Sequence, residues 1–171
     1  MRKAQALAMA AAAIVGLGAA MWSSAQESSG SAAVLGGKLP DGYRDWKLIS
    51  VAHEEGSLND IRAILGNEIA VKAYREGTLP FPDGAIIARI AWAYVPSEEN
   101  NKAFGRTQSF VAGHPTNVQF MVKHSREYAS TGGWGFAQFN DGAPSHVTAT
   151  ACYACHVPVK DRDFVFTRYS P

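Results

Sequence analysis

Short segments rich in β-branched and aromatic residues follow one another along most of this chain, separated by glycine, proline and polar turn residues. Residues 46–53 form an apolar run and residues 60–65 alternate apolar and polar side chains, which predicts an antiparallel pair of strands. Further strands are predicted at 85–95, 118–124, 135–139 and 164–169. Because successive strands joined by short turns favour an antiparallel sheet, we predict an α+β fold, mainly antiparallel β-sheet with a few helices.

One helix is predicted at residues 68–76, where Ile69, Ala73 and Tyr74 recur at helical spacing. Gly77 and the proline-rich turn that follows it are typical of a helix end.

The composition is that of an ordinary globular protein. Of the 171 residues 47% are hydrophobic and 18% are charged, which excludes a disordered or fibrous chain and favours one compact domain. The 16 Lys and Arg side chains nearly balance the 15 Asp and Glu side chains, so the chain lacks the single-sign field that concentrates polyanions. Nucleic acid is therefore not an expected partner.

The N-terminus has the pattern of a signal peptide. Arg2 and Lys3 supply a basic start, residues 4–20 form an apolar run, and residues 23–25 are the small side chains that a signal peptidase reads. An uncleaved membrane anchor is the alternative, but alanines bury little apolar area and a Ser-rich segment follows at once. The predicted division is a signal peptide at 1–25, a flexible linker at 26–38 and the domain at 39–171. Export predicts an oxidising compartment, which we take to be the periplasm.

The two cysteines of the chain lie three positions apart and are followed directly by a histidine, in the order Cys152-Tyr153-Ala154-Cys155-His156. This is the C-x-x-C-H arrangement of covalent c-type haem attachment. On a helical turn both thiols can reach the two vinyl groups of one haem, and the imidazole of His156 then meets the iron from the proximal side. One motif predicts one covalent haem c, with Cys152, Cys155 and His156 holding it and His156 as the metal ligand.

A redox-active dithiol, half of a zinc site and a structural disulfide are the alternatives for this motif. A zinc site needs further ligands at close spacing, and the sequence has no second cysteine pair. A thioredoxin-like dithiol belongs in a βαβ context near the N-terminus, which does not fit this position. A disulfide in a haem-free exported domain stays open, and a Soret band would exclude it.

The opposite face of the iron decides the role, because a strong sixth ligand favours electron transfer whereas an open site binds small molecules. Met121 is the only methionine after the leader; it shares a strand face with Gln119 and is predicted to pack in the core. The remaining histidines carry no spacing signature and are predicted at the surface or in loops: His53, His114, His124 and His146. The iron is therefore predicted to be five-coordinate.

Five motifs in the second part of the chain are specific when taken together. They are Leu39-Pro40 followed by Tyr43-Arg44-Asp45-Trp46, then Asp60-Ile61-Arg62, Pro82-Asp83-Gly84, Gly133-Trp134-Gly135-Phe136 and Asp163-Phe164-Val165-Phe166-Thr167. On the basis of these five motifs, the chain resembles the cytochrome P-460 family from about residue 39 to residue 171. The resemblance implies an exported haem c protein built on an antiparallel sheet, commonly a homodimer.

The resemblance also implies a distal pocket formed by Arg62, Arg89 and Gln119. Members that oxidise hydroxylamine carry a lysine cross-linked to the haem ring and a distal glutamate, and the matching positions here hold Arg89 and Gln119. A guanidinium offers no free amine and an amide does not exchange a proton as a carboxylate does, which favours the related cytochrome c-prime beta branch that binds gases. Arg62 matches an arginine near the distal haem face, where it could donate hydrogen bonds to a ligand; a surface ion pair is its alternative. For Arg89 the alternatives are a side chain in water or a partner of a haem propionate.

Two functions are consistent with these observations. The first is an exported monohaem cytochrome that binds a small gas such as nitric oxide or passes electrons to a redox partner protein. The alternative is an oxidoreductase acting on hydroxylamine or a related nitrogen compound.

Overall fold

The computed structural model describes residues 31–170, so the signal peptide predicted at 1–25 lies outside the described residues. The described backbone forms a six-stranded antiparallel sheet in which each strand pairs with the next one along the chain. The strands are β1 (Lys47–Glu54), β2 (Asp60–Gly66), β3 (Ile86–Pro96), β4 (Phe110–Lys123), β5 (Trp134–Asn140) and β6 (Ala143–Pro144). The α-helices of the same range are α1 (Glu68–Glu76), α2 (Glu98–Phe104) and α3 (Ala149–His156). The α+β prediction is confirmed.

Helix α1 has the start and the end that its sequence predicts. The side chain of Asn67 accepts a hydrogen bond from the backbone N–H of Ala70 at 2.9 Å, which satisfies one of the free donors of the first turn. The same amide donates to the carbonyl of Gly84 at 2.8 Å, so the helix start is tied to the turn before β3. Gly77 ends the helix in the left-handed conformation, with φ of 64°.

One face of the sheet carries α1 and α3, and we call it the helix face. Its register places Ile87, Met121 and Phe136 side by side on β3, β4 and β5. The buried core on this face consists of Ile49, Ile64, Ala70, Val71, Ala73, Phe81, Ala85, Ile87, Trp134, Phe136 and Val165. Cys152 and Tyr153 of α3 pack against this core, so the haem-attachment motif sits on the helix face.

The opposite face of the sheet is covered by the chain that precedes β1. Ala88 and Phe120 are buried there, and Tyr43 packs edge-on against Phe120 with ring centroids 5.4 Å apart. Val34 and Leu35 also pack on this core, from a 3-10 helix at Ser31–Leu35.

This 3-10 helix lies inside the linker that the sequence predicts at 26–38, so the chain is structured from residue 31 onward. Val34 and Leu35 are apolar residues in an otherwise polar stretch, and burying them on the sheet stabilises the segment. Further 3-10 helices lie at Tyr43–Asp45, Ala129–Thr131 and Val157–Arg162.

Two other segments differ from the sequence prediction. The strand predicted at 164–169 does not form; this stretch crosses the helix face without regular structure and joins the sheet where the N–H of Ser170 donates to the carbonyl of Ile49 at 2.9 Å. Helix α2, which the sequence analysis did not predict, begins where Ser97 accepts from the N–H of Asn100 at 3.3 Å. Within residues 31–170, the structure contains no helix with the length and apolar character needed to cross a membrane.

Candidate functional site

The C-x-x-C-H motif occupies the last five residues of α3. The helix begins at Thr148, whose hydroxyl accepts a hydrogen bond from the N–H of Ala151 at 3.2 Å. Cys152 and Cys155 are both free thiols, and their three-residue spacing on the helix puts them on one side of it. Cys152 is half-buried and Cys155 is exposed, and burial raises the pKa of the Cys152 thiol. Both thiols are therefore available for covalent attachment from the same side of α3.

His156, the last residue of α3, is held by the backbone that follows it. Its Nδ1 lies 2.7 Å from the carbonyl oxygen of Phe164. Because a carbonyl only accepts, Nδ1 carries the proton, and in a neutral imidazole the lone pair is then on Nε2. Burial lowers the pKa of His156, which favours this neutral form. This arrangement leaves Nε2 available as a metal-binding atom.

Aromatic rings surround the imidazole of His156. Phe136 of the helix face lies 5.1 Å away between ring centroids, and Phe166 lies 5.2 Å away. Phe136 lies on β5, so this contact places His156 against the helix face of the sheet, near the side chains that neighbour Phe136.

The three residues predicted for the distal pocket, Arg62, Arg89 and Gln119, lie on that same face, on β2, β3 and β4. Arg89, Gln119 and Gln138 pair directly across β3, β4 and β5, one row from Ile87, Met121 and Phe136. Nη1 of Arg89 donates to Oε1 of Gln119 at 3.2 Å, and Nε2 of Gln119 donates to Oε1 of Gln138 at 2.7 Å. Both rows are on the helix face, and Gln138 lies two positions from Phe136 on β5, so the polar row is next to the row that contacts His156; Arg62, on β2, lies further along the same face.

Asp60 joins Arg62 to Arg89. Its Oδ1 accepts from Nε and Nη2 of Arg62 at 2.8 and 2.6 Å, and its Oδ2 accepts from Nη2 of Arg89. Nη1 of Arg62 also forms an ion pair with Glu54 at 2.8 Å, and Nη1 of Arg89 donates to Asn117 at 2.7 Å. We call Glu54, Asp60, Arg62 and Arg89 the charged cluster. Burial, followed by the nearby charge of Arg62, lowers the pKa of Arg89, and the carboxylate of Asp60 acts in the opposite direction.

A model of the cytochrome P-460 family matches residues 40–167, which is most of the chain and includes β1 to β6 and α3. The chain belongs to the cytochrome P-460 family. No curated protein matches the sequence. Membership of the cytochrome P-460 family implies a haem protein, and the Cys152 and Cys155 pair is consistent with covalent haem c.

The residues of this cytochrome P-460 domain fit a covalent haem. Two free thiols and an imidazole with a free Nε2 are the donor set of c-type attachment, and α3 presents all three within one helix. The adjoining surface is aromatic, as a large apolar ring system requires, because Phe136, Phe164 and Phe166 all lie near His156 or the motif.

Three polar residues of the site were missed by the sequence analysis as functional residues: Asp60, Asn117 and Gln138. Asp60 is only 2% exposed, and it is the residue that both arginines share. Charged residues at alternate positions 60 and 62 of an otherwise apolar strand were a signal that could have identified it. Its pairing with Arg89 depends on the register of β2 against β3, which one sequence does not give.

Met121 and the remaining histidines lie where the sequence predicts them. Met121 is half-buried and packs on the core of the helix face. His53, on β1, is exposed and stacks on Tyr94 at 3.8 Å between ring centroids. His124 follows β4, and its Nδ1 accepts from the N–H of Glu127 at 3.2 Å. His114 and His146 are exposed.

Proposed function

We propose that this protein is an exported monohaem c-type cytochrome in which Cys152 and Cys155 form the thioethers and His156 binds the iron through Nε2. The observation that carries the proposal is the hydrogen bond from Nδ1 of His156 to the carbonyl of Phe164, 2.7 Å long, at the end of the helix that carries both thiols. It leaves Nε2 as the only metal-binding atom of the ring. The haem supplies a redox-active iron able to bind small molecules.

We further propose that the iron is five-coordinate and that Arg62, Arg89 and Gln119 belong to the pocket for its ligand. The location of all three on the helix face, together with Phe136 and His156, supports this assignment. Their role would be to donate hydrogen bonds to a bound ligand from guanidinium and amide N–H groups. Such a site suits a small gas such as nitric oxide, or the transfer of single electrons.

The contacts of Arg89 favour gas binding over hydroxylamine oxidation. At the position where cross-linked members carry a lysine, the guanidinium of Arg89 is hydrogen-bonded to Asp60, Asn117 and Gln119. A guanidinium in this network provides no free amine to bond the haem ring. The neighbouring Gln119 is an amide, so it does not take up and release protons as a carboxylate would.

The charge of the cluster favours a neutral ligand. Arg62 and Arg89 contribute two positive charges, and Glu54 and Asp60 contribute two negative ones, so the charged cluster has no net charge. Hydrogen-bond donors are therefore present without the positive field that would concentrate an anion. A neutral diatomic gas fits this environment better than nitrite or another anion.

The cellular setting is part of the same proposal. The predicted signal peptide and the haem c motif together indicate export to the periplasm, where haem c is attached in bacteria. A redox partner protein would supply or remove electrons, and the family resemblance suggests a homodimer.

Spectroscopy of the protein produced with a working haem c assembly apparatus tests the function. We expect a c-type absorption spectrum with high-spin features, and stopped-flow mixing of the reduced protein with nitric oxide or carbon monoxide should shift the Soret band. A colourless product would contradict haem attachment, and a spectrum that neither gas changes would contradict the open site. Mass spectrometry of the haem peptide distinguishes the alternative, because a third covalent bond to the haem together with hydroxylamine turnover would favour the enzyme.

A further inference from the structure

The turn that supplies the hydrogen-bond acceptor of His156 has an unusual backbone. Asp163 and Phe164 are consecutive non-glycine residues with positive φ, 52° and 63°. Aspartate tolerates this left-handed region, but a bulky residue such as phenylalanine rarely adopts it. A backbone of this kind persists only where surrounding contacts fix it. The contacts that fix this turn therefore also determine where the carbonyl of Phe164 points.

A buried ion pair fixes the turn from the sheet. Nζ of Lys123, at the end of β4, lies 2.7 and 2.9 Å from the two carboxylate oxygens of Asp163. The side chains are only 5% and 8% exposed. The Asp163 carboxylate also accepts from the backbone N–H of Phe81 at 2.8 Å, and the carbonyl of Asp163 accepts from Nε1 of Trp134 at 2.8 Å. Three groups, the Lys123 ammonium, the Phe81 N–H and the Trp134 indole, thus hold Asp163 through four hydrogen bonds.

Lys123 is itself held in a single place. Its ammonium donates to the carbonyl of Gly132 at 3.2 Å and lies 5.0 Å from the centre of the Trp134 ring. Gly132 has φ of 68°, and a Cβ there would come within 2.2 Å of the Phe164 ring, so the absence of a side chain at this position lets Phe164 pack. Lys123 and Gly132 therefore constrain both sides of the Asp163 and Phe164 turn.

We propose that Lys123 and Asp163 are positioning residues for the imidazole of His156, because they hold the Phe164 carbonyl that accepts the hydrogen bond from Nδ1. This inference rests on the proposed function in that His156 is the iron ligand. A hydrogen bond at Nδ1 makes Nε2 a stronger donor to the iron and so favours the ferric state. Loosening the turn weakens the hydrogen bond at Nδ1, so the ferrous state becomes more stable relative to the ferric state.

The experiment compares haem-loaded wild type with the D163N variant. Asparagine keeps the size of the side chain, tolerates positive φ and still accepts from Phe81, but it removes the ion pair with Lys123. We expect the iron–histidine stretching band of the ferrous protein to move to lower frequency. We also expect the ferric-to-ferrous equilibrium to shift about three- to tenfold towards ferrous, where tenfold corresponds to about 59 mV for one electron.

D83N is the matched control. Asp83 lies near the same end of the sheet and accepts from the N–H and the hydroxyl of Ser125 at 2.7 and 2.9 Å, so the change is the same Asp-to-Asn replacement without contact to the turn. Both the stretching band and the potential should stay at their wild-type values in D83N. If D163N gives little folded protein because the buried Lys123 ammonium has lost its partner, the K123M/D163N variant, which removes both charges, allows the same measurements.

Failure of the positioning role and failure of the proposed function give different experimental results. Wild-type values of the band and the potential in folded, haem-loaded D163N and K123M/D163N would overturn the positioning role and leave the proposed function in place. A wild-type protein without a Soret band would overturn the proposed function itself and this inference with it. An equal shift in D83N and D163N would show a general effect of stability and would also contradict the positioning role.

Discussion

Replacing Asp60 by asparagine tests whether the charged cluster depends on this one buried carboxylate. The Asp60 side chain is 3% exposed, and its partners Arg62 and Arg89 are 10% and 14% exposed. The D60N variant leaves two guanidiniums side by side, each without its shared counter-charge. Breaking a buried pair in this way costs about 3 to 5 kcal/mol, and Glu54 still compensates Arg62, so we expect about 3 kcal/mol. For a domain of this size the midpoint of thermal unfolding should fall by about 10 °C.

The assay is thermal and denaturant unfolding of the haem-loaded protein, followed by circular dichroism. E54Q is the matched control, because it removes the other carboxylate of Arg62, yet the Glu54 side chain is 51% exposed. Because water screens the half-exposed Glu54 carboxylate, its ion pair with Arg62 should contribute much less than that of Asp60, about 0 to 1 kcal/mol. If the free energies of unfolding of D60N and E54Q differed by less than about 1 kcal/mol, the reasoning from burial would be refuted.

Three further variants test other parts of the structure. G132A should lower the unfolding midpoint by several degrees, since the added Cβ meets the Phe164 ring and the backbone needs positive φ; an unchanged midpoint would contradict the packing. Hydrogen bonds from Ser125 lower the pKa of Asp83 in the folded protein. The ionised carboxylate therefore stabilises wild type relative to D83N above the unfolded pKa near 3.8, and this stabilisation is lost as the pH falls through the lower folded pKa. The free energies of unfolding of wild type and D83N in urea should therefore begin to approach each other below about pH 3.8 and converge once the pH is below the folded pKa of Asp83; a difference that persists in still stronger acid would exclude this carboxylate as its cause. C155S should retain haem through one thioether only, which mass spectrometry and the pyridine haemochrome spectrum would detect; two remaining thioether bonds would exclude Cys155 as an attachment residue.

The sequence predicted most of the strands and the first helix because hydrophobic spacing and helix ends depend on nearby residues. The alternation in residues 60–65 and the helical spacing of 68–76 are both local patterns, and they correspond to β2 and α1. The haem motif was also recognisable, since its three functional side chains lie within five positions on one helix.

The path of the last described segment and the two buried ion pairs could not be predicted, because they depend on contacts between residues far apart in the sequence. The aromatic alternation in 164–169 is typical of a strand, yet the turn at Asp163 and Phe164 directs this segment across the helix face. Lys123 and Asp163 are 40 positions apart, and Asp60 and Arg89 are 29 apart, so neither ion pair leaves a spacing signature. The first pair could be found only once the Asp163 turn was placed against the end of β4, and the second only once the register of β2 against β3 was known.

The hydrogen bond between Ser170 and Ile49 has a consequence for maturation. It joins opposite ends of the described chain, and a contact so distant in sequence is entropically costly to close. Because residues 164–170 are placed on the helix face by contacts this distant in sequence, we expect them to pack last, after the β-sheet and α3 have formed. We therefore expect the thiols of α3 to be reachable by an attachment enzyme until residues 164–170 pack, and this packing to cover the motif afterwards.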